Sequence, residues 1–319
     1  MRKKRKKSAA QKILAGIGYA TFLAVILLLG TAAGWVSQSK VLGAGIMTIW
    51  QKPEEVFHQD TLTVLVLGCD EDRATGGKKV LKSGVRSDMM LLTKIDFKNN
   101  KITGLSIPRD TLCEVDGYRE QKINAYHALG GKPLAKKAVE TLLNVPIDRV
   151  VDLDFKAFED LVDMVGGVPV YIDKNLKYTD RAGGLYINLK KGNQVLNGYN
   201  AMCFVRFRHS DSDFARQDRQ HEFVLALKGV LQTKKSILNR VADQAVKVAG
   251  NEFTYAEAAK LGQFAKDIKE KDIKLGSIAV TEPKPNPHYY EIVDQDKLED
   301  TLREYNFLPP VSKTVASSQ

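Results

Sequence analysis

Thr61-Leu62-Thr63-Val64-Leu65-Val66-Leu67-Gly68 is the stretch on which the fold turns. It alternates, is rich in β-favouring side chains and stops at a glycine, as a strand does on reaching a loop. Two further runs of this kind follow at residues 89–97 and 101–107, separated by a turn at Asn99-Asn100. Together they predict three neighbouring strands of one central sheet. Helical periodicity then dominates at residues 134–143, 155–165, 199–204 and 214–231, with strands expected between at 149–153 and 168–172. This succession predicts an α/β or α+β domain, a central mixed β-sheet covered by helices. Gly183-Gly184 and Gly192 predict a loop-rich connection before residue 199. Helices are expected at 237–248 and 255–268, the second opened by Thr254 as N-cap with Glu257 three residues on. A late strand is expected at 273–280.

Outward from this body the chain changes character. Arg2, Lys3, Lys4, Arg5, Lys6, Lys7 and Lys12 are all basic, and no acidic residue precedes Glu54. Setting those seven aside from 48 Lys and Arg leaves 41 against 38 Asp and Glu, so the net charge of +10 is concentrated at the amino end. A nearly neutral body argues against nucleic acid as a partner. Residues 13–36 contain no charged side chain and are long enough to cross a bilayer. The basic cluster would stay cytoplasmic, leaving the rest of the chain outside the cell membrane on a single-pass anchor. A cleaved leader ending at Thr31-Ala32-Ala33 is the alternative, and the length of the apolar run favours the anchor. The expected organisation is a basic tail at 1–12, a transmembrane helix at 13–36, a tether at 37–57 with no clear period, one catalytic domain at 58–311 and a tail at 312–319.

Charged groups that could carry chemistry gather in two places. Four arginines and three carboxylates crowd between Arg206 and Arg219, followed by Gln220. Guanidinium forks match phosphate oxygens, but arginines and aspartates this close can also satisfy one another on a solvated helix face. The second place is the set of predicted strand ends: Asp70 after the first strand, Arg86-Ser87-Asp88 opening the second, Pro108-Arg109-Asp110 closing the third. Neighbouring strands would bring these groups to one edge. Asp70 and Asp88 offer oxygen ligands suited to Mg2+.

Other chemistries lack their signatures. There is no GxxxxGK[ST], GxGxxG after a strand, HExxH or GxSxG, and the five histidines show no metal spacing. His209 reads as a neutral capping or packing residue. Cys69, Cys113 and Cys203 read as buried thiols without chemistry, with one disulfide and an odd cysteine as the alternative. Val150, Val151, Leu153, Phe155, Phe158, Leu161, Val162 and Val165 read as core, although a slot for a lipid could be lined by the same residues.

Taken together, Leu67-Gly68-Cys69-Asp70, Arg86-Ser87-Asp88-Met89, Ser106-Ile107-Pro108-Arg109-Asp110, Lys122-Ile123-Asn124-Ala125-Tyr126, Asp163-Met164-Val165-Gly166-Gly167-Val168, Leu196-Asn197-Gly198 and the Arg206 to Gln220 string carry a resemblance. The chain resembles the LytR-CpsA-Psr proteins, cell-wall glycopolymer ligases, from residue 61 through residue 220 in detail and more loosely to residue 308. The resemblance implies a hydrophobic pocket for a polyprenyl chain with a charged mouth for its phosphates. By match of motif, Asp70 and Asp88 hold magnesium, and Arg86, Arg109, Arg206, Arg208, Arg216 and Gln220 contact the pyrophosphate, with Asp88, Arg109 and Arg86 at the reaction centre. The implied reaction moves a polyprenyl-pyrophosphate-linked glycopolymer, of teichoic acid or capsular polysaccharide type, onto peptidoglycan. A hydrolase using water as acceptor, and a non-catalytic lipid or glycan-binding regulator, are the alternatives.

The sequence departs from the family at three points. Met89 stands where a small hydroxyl residue is usual, the segment between Arg208 and Asp213 is short, and Asp70-Glu71-Asp72-Arg73 replaces a tighter Asp-x-Arg. Asp88 and Asp213 are the two candidates for a general base toward the acceptor hydroxyl. Arg219 is expected to be structural.

Overall fold

The computed structural model describes residues 39–69, 85–180, 185–207, 213–234, 238–283 and 288–309. In chain order these form α1 (Lys40–Met47), α2 (Pro53–Phe57), β1 (Thr61–Cys69), β2 (Ser87–Asp96), β3 (Lys101–Ser106), β4 (Leu112–Cys113), β5 (Gln121–Lys122), α3 (Asn124–Leu143), β6 (Arg149–Asp154), α4 (Phe155–Met164) and β7 (Val168–Ile172). Then follow β8 (Leu176–Asp180), β9 (Leu185–Leu189), β10 (Gly192–Leu196), α5 (Gly198–Arg206), α6 (Asp213–Thr233), α7 (Leu238–Ala249), α8 (Tyr255–Asp267), β11 (Ile273–Ser277), β12 (Val280–Thr281), β13 (Ile292–Val293) and α9 (Gln295–Glu304).

The central sheet has the order β11-β3-β2-β1-β6. It is mixed: β1 to β3 pair antiparallel, and β6 and β11 join the two sides in parallel. β1 lies inside the sheet and is covered on both faces, which explains its nearly continuous apolar sequence. Leu65, Leu67 and Cys69 face a core shared with α3 and α9, while Leu62 and Val64 face another with Phe57, Phe97 and Phe264. Leu62, Leu65 and Leu67 are fully buried, and each contributes roughly 1.5–3 kcal/mol through removal from water. A separate core gathers α4, α5, α6 and the strands β7 to β10.

Several expectations are corrected. Among the described residues the connection before α5 carries strands, with β8 paired to β9 and β10 to β7; Gly183-Gly184 lie outside the described residues. These strands keep one face in water, so lysines and asparagines alternate with Leu176, Ile187 and Leu189 and hide the pattern. Gly192, at φ 116°, a backbone region open chiefly to glycine, opens β10 just after the break that follows β9. The expected strand at 273–280 divides into β11 and β12. α3 begins ten residues earlier than its period suggested and breaks at Gly130-Gly131, with Pro133 opening its second segment.

Residues 40–57, expected to be an irregular tether, hold α1 and α2. Val41 packs with Val246 and Ala259. Lys260, only 3% exposed, donates to the carbonyls of Thr48 and Gln51 at 2.8 and 2.7 Å and to Gln263. A buried ammonium with three acceptors fastens the α1–α2 connection to α8. The apolar run at 13–36 lies outside the described residues; among the described residues no helix is long and apolar enough to cross a membrane.

Candidate functional site

One edge of the sheet carries the Arg86, Asp88 and Arg109 positions. Cys69, last residue of β1, pairs with Ser87 at the start of β2 and with Asp154 at the end of β6. β3 closes at the same edge, where the Ile107 N–H donates to Met90 O at 2.9 Å. The edge therefore combines the carboxyl ends of β1, β3, β6 and β11 with the amino end of β2. Open α/β sheets characteristically place ligands outside their carboxyl ends.

Asp88 occupies an irregularity in this edge. Gly68 pairs with Met89 and Cys69 with Ser87, so residue 88 is the extra residue of a β-bulge. Bulges interrupt pairing and re-aim chain positions beside sites. Residue 88 is thereby set opposite the strand end from which Asp70 follows. Ser87, fully buried, has a hydroxyl with no hydrogen-bond partner among the described residues. The Asp88 position therefore stands next to a buried, unmet hydroxyl oxygen, and oxygen donors of this kind suit a hard divalent cation. Asp70, Arg208 and His209 lie outside the described residues, and for Asp88 and Arg216 the backbone alone is described.

Arg109 sits in a turn closed by the Thr111 N–H donating to Pro108 O at 3.2 Å. The turn is braced from two sides. Lys122 Nζ lies 2.8 Å from Asp110 Oδ1, and the Asn124 N–H at the start of α3 donates to Arg109 O at 3.3 Å. Arg109 Nε is 3.5 Å from Asp110 Oδ2, and 28% of its side chain is exposed. Arg86 is exposed at the mouth of β2. The residue before it, Val85, accepts a hydrogen bond from the His127 ring at 2.7 Å.

Arg206 reaches this edge by stacking. Its guanidinium carbon is 4.1 Å from the centroid of the Phe155 ring, and Phe155 follows Asp154 directly. Asp154 caps α4 by accepting from the Ala157 N–H at 2.6 Å, which fixes where Phe155 emerges. Gln220 donates to Val205 O at 3.1 Å, holding α6 to the end of α5. Arg219 is buried and donates to Phe207 O while its guanidinium lies over the Phe207 ring, the structural role expected of it. Arg216 precedes Gln220 by one helical turn on α6.

One residue absent from the sequence reading also links α6 to the edge. His221 Nε2 lies 3.5 Å from Ser106 Oγ at the end of β3. Burial holds its pKa below the ordinary histidine value, partly opposed by Asp218. Only its place beside Gln220 signals it in the sequence.

The remaining family motifs serve the fold. Asp163 accepts from the Gly198 N–H at 2.7 Å, and Tyr126 donates its hydroxyl hydrogen to Cys113 O at 2.8 Å. Gly166 and Gly167, at φ 75° and 87°, turn the chain from α4 into β7. Cys69, Cys113 and Cys203 are buried and not joined in a disulfide, as expected. Val162 and Val165 are buried, and Phe158 packs on Phe223 with ring centroids 5.4 Å apart. These apolar residues therefore contribute to a packed core.

Comparison with known proteins agrees with this geometry. The model of the LytR_cpsA_psr family matches residues 44–306. The polyisoprenyl-teichoic acid–peptidoglycan teichoic acid transferase TagV of Bacillus subtilis is 32% identical over 265 residues, covering 79% of this chain and 66% of TagV. Its namesake TagT, from the same organism, is 29% identical over 318 residues, 95% of either chain. The chain thus spans just under two thirds of TagV and nearly all of TagT. A solved structure of the LytR-CPS2A-psr family protein YwtF (TagT) with bound octaprenyl pyrophosphate lipid aligns with a TM-score of 0.55 at 28% identity, over 78% of this chain and 90% of that one.

Proposed function

The chain belongs to the LytR-CpsA-Psr family, and from that premise we propose that it is a membrane-anchored phosphotransferase. It moves a polyprenyl-pyrophosphate-linked glycopolymer, of teichoic acid or capsular polysaccharide type, onto the muramic-acid hydroxyl of peptidoglycan. The hydroxyl oxygen forms a bond to the sugar-proximal phosphorus. The bond from that phosphorus to the bridging oxygen breaks, the hydroxyl proton passes to a base, and polyprenyl phosphate leaves.

The observation that carries this reading is the meeting of the Arg86, Asp88 and Arg109 positions on adjacent strand ends, with Arg206 brought in by Phe155. Fixed arginines aimed at a phosphate group stabilise charge that develops on the leaving oxygen. Arg86, Arg109, Arg206, Arg208 and Arg216 hold the pyrophosphate. Gln220 supports Arg206 through Val205 and contributes its remaining polar atoms to the same group. Asp70 and Asp88 would hold magnesium, which supplies neutralisation of phosphate charge when bound. A relative whose solved structure carries octaprenyl pyrophosphate lipid supports a polyprenyl donor. Residues 13–36 keep the enzyme beside that lipid, with the domain on the outer face.

Transfer itself is the test. The full chain in detergent, given a polyprenyl-pyrophosphoryl saccharide and magnesium, yields peptidoglycan-linked product only when acceptor fragments are present. Release of saccharide phosphate to water at a rate indifferent to acceptor identifies a hydrolase instead. Tight lipid binding without turnover identifies a binding protein.

A further inference from the structure

The first helix turns an apolar side outward. Ile46, Met47, Ile49 and Trp50 are 50%, 86%, 56% and 94% exposed. Residues 48–50 continue α1 as a turn, in which the Ile49 N–H donates to Ile46 O and the Gln51 N–H to Thr48 O. The spacing i, i+1, i+3 and i+4 therefore gathers all four side chains on one half of the helix surface. A single exposed apolar side chain is ordinary, but four within five residues form a patch that water covers poorly. We propose that this patch docks on the outer surface of the lipid bilayer, seating the domain on the membrane instead of leaving it on a free tether.

Three features name the bilayer as the partner. The first is reach. Val36 ends the uncharged run, and Lys40 begins α1 four residues later. Four residues extend at most about 14 Å, and the advance along a helix from Lys40 to Ile46 is about 9 Å. The patch therefore begins within roughly 23 Å of the end of the anchor. The second is chemistry. Residues 37–53 contain Lys40 and Lys52 and no acidic side chain, and basic residues beside tryptophan are what settles among phospholipid head groups. At the other end of α1, Lys40 Nζ stands 5.5 Å from the centre of the Tyr255 ring, which is itself exposed. Interfacial groups at both ends suit a helix that lies along the membrane surface. The third is rigidity. Val41 faces Val246 and Ala259, a Cβ at Gly45 would meet that of Ala259 at 3.3 Å, and Lys260 holds the Thr48 and Gln51 carbonyls. The inner side of α1 is committed to the body, so the outer side is presented as a fixed surface.

The inference rests on the anchored reading proposed above and adds a second membrane contact to it. Docking through a patch fixed to α8 sets the orientation of the body relative to the bilayer. That limits the positions open to the charged edge, which favours a donor whose pyrophosphate is itself confined to the head-group layer. A second copy of the chain is the other cover such a patch could take. Four side chains fall short of the roughly 20–30 residues a side that a stable protein interface uses. A bilayer already held close by the anchor needs no such area, because the second contact forms at high effective concentration.

Fluorescence of the full chain in lipid nanodiscs of equal parts phosphatidylcholine and phosphatidylglycerol tests the docking. Trp50 is one of two tryptophans, so Trp35→Phe leaves it as the sole reporter. Lipids brominated near the carbonyl end of their chains are expected to quench Trp50 at least about twofold, as an interfacial tryptophan requires. Aqueous iodide should quench it at least about threefold less than it quenches free N-acetyltryptophanamide. Met47→Glu/Ile49→Glu, at exposed positions, should leave the thermal unfolding midpoint unchanged and weaken the bromine quenching at least about twofold. Transfer activity is not read, so the outcome is independent of the catalytic proposal. A chain that enters the discs but leaves Trp50 open to iodide and untouched by brominated lipid overturns the docking and spares the anchor. A chain that fails to enter the discs overturns both. Shielding from iodide without bromine quenching identifies a protein cover, a second copy or the apolar run itself, and overturns the docking too, as does unchanged bromine quenching in the double variant.

Discussion

Arg206 lays its guanidinium 4.1 Å from the centre of the Phe155 ring, so an arginine at the end of α5 is fixed to the residue that begins α4. Because Asp154, one residue earlier, pairs with Cys69, this stack ties the arginine segment to the sheet edge that holds Arg86 and Arg109. A stack of this kind contributes about 0.5–1 kcal/mol. Phe155→Leu is expected to lower kcat/KM for the lipid-linked donor roughly two- to fivefold, read by steady-state transfer assays. Arg206→Lys should lose more, since an ammonium keeps the charge but neither the planar stack nor the fork.

The Lys122–Asp110 pair braces the turn that carries Arg109. Both side chains are partly exposed, so Lys122→Ala should change unfolding free energy by less than about 1 kcal/mol. Turnover should nevertheless fall about tenfold as the Arg109 turn loosens, and Lys122→Arg should restore much of it. Denaturant melts alongside kcat separate the two effects.

Gly198 admits no side chain, because a Cβ there would stand 2.4 Å from the carbonyl oxygen of Glu159. Gly198→Ala must push α5 from α4 and should cost about 1–3 kcal/mol, seen as a lower urea midpoint with an unchanged slope.

Much of this architecture is legible in the chain. The three sheet strands show because β1 is apolar on both faces, and the Thr254–Glu257 capping box reads directly. The strands β8 to β10 escape because one of their faces is wet and their lysines and asparagines resemble a loop. The helices α1 and α2 escape because Gly43, Gly45 and Pro53 blur their period, while their anchor, Lys260, is more than 200 residues away. Within the site, Arg86, Asp88 and Arg109 follow from strand ends. The bulge at residue 88 and the stack of Arg206 on Phe155 depend on pairing register and on contacts between distant elements, which local pattern does not encode.

His221 makes stability sensitive to mild acid. Burial lowers its pKa in the folded protein from 6.5, so below pH 6.5 the unfolded chain takes up a proton that the native one resists. Its contribution is intact above pH 6.5, declines as pH falls, and is fully lost once pH passes below the folded value. Comparing the pH dependence of unfolding free energy in wild type and His221→Gln checks this; the variant should show a flatter acid limb.

Burial pushes the Cys113 thiol up to about 11, with Glu120 adding to the shift. Because the thiolate is the reactive form, alkylation of Cys113 in the native protein should be slow through pH 9 and accelerate only toward pH 11. Mass mapping of labelled peptides reads this directly.

The central claim is that Arg86, Arg109 and Arg206 form one grip for a lipid pyrophosphate at the sheet edge. Calorimetric affinity of the full chain in detergent for polyprenyl pyrophosphate tests it most directly, wild type against Arg86→Ala, Arg109→Ala and Arg206→Ala. A hydrogen bond to a charged group contributes about 1.5–3 kcal/mol, so each variant should bind at least about tenfold more weakly while remaining folded. Wild-type affinity in all three would contradict the account.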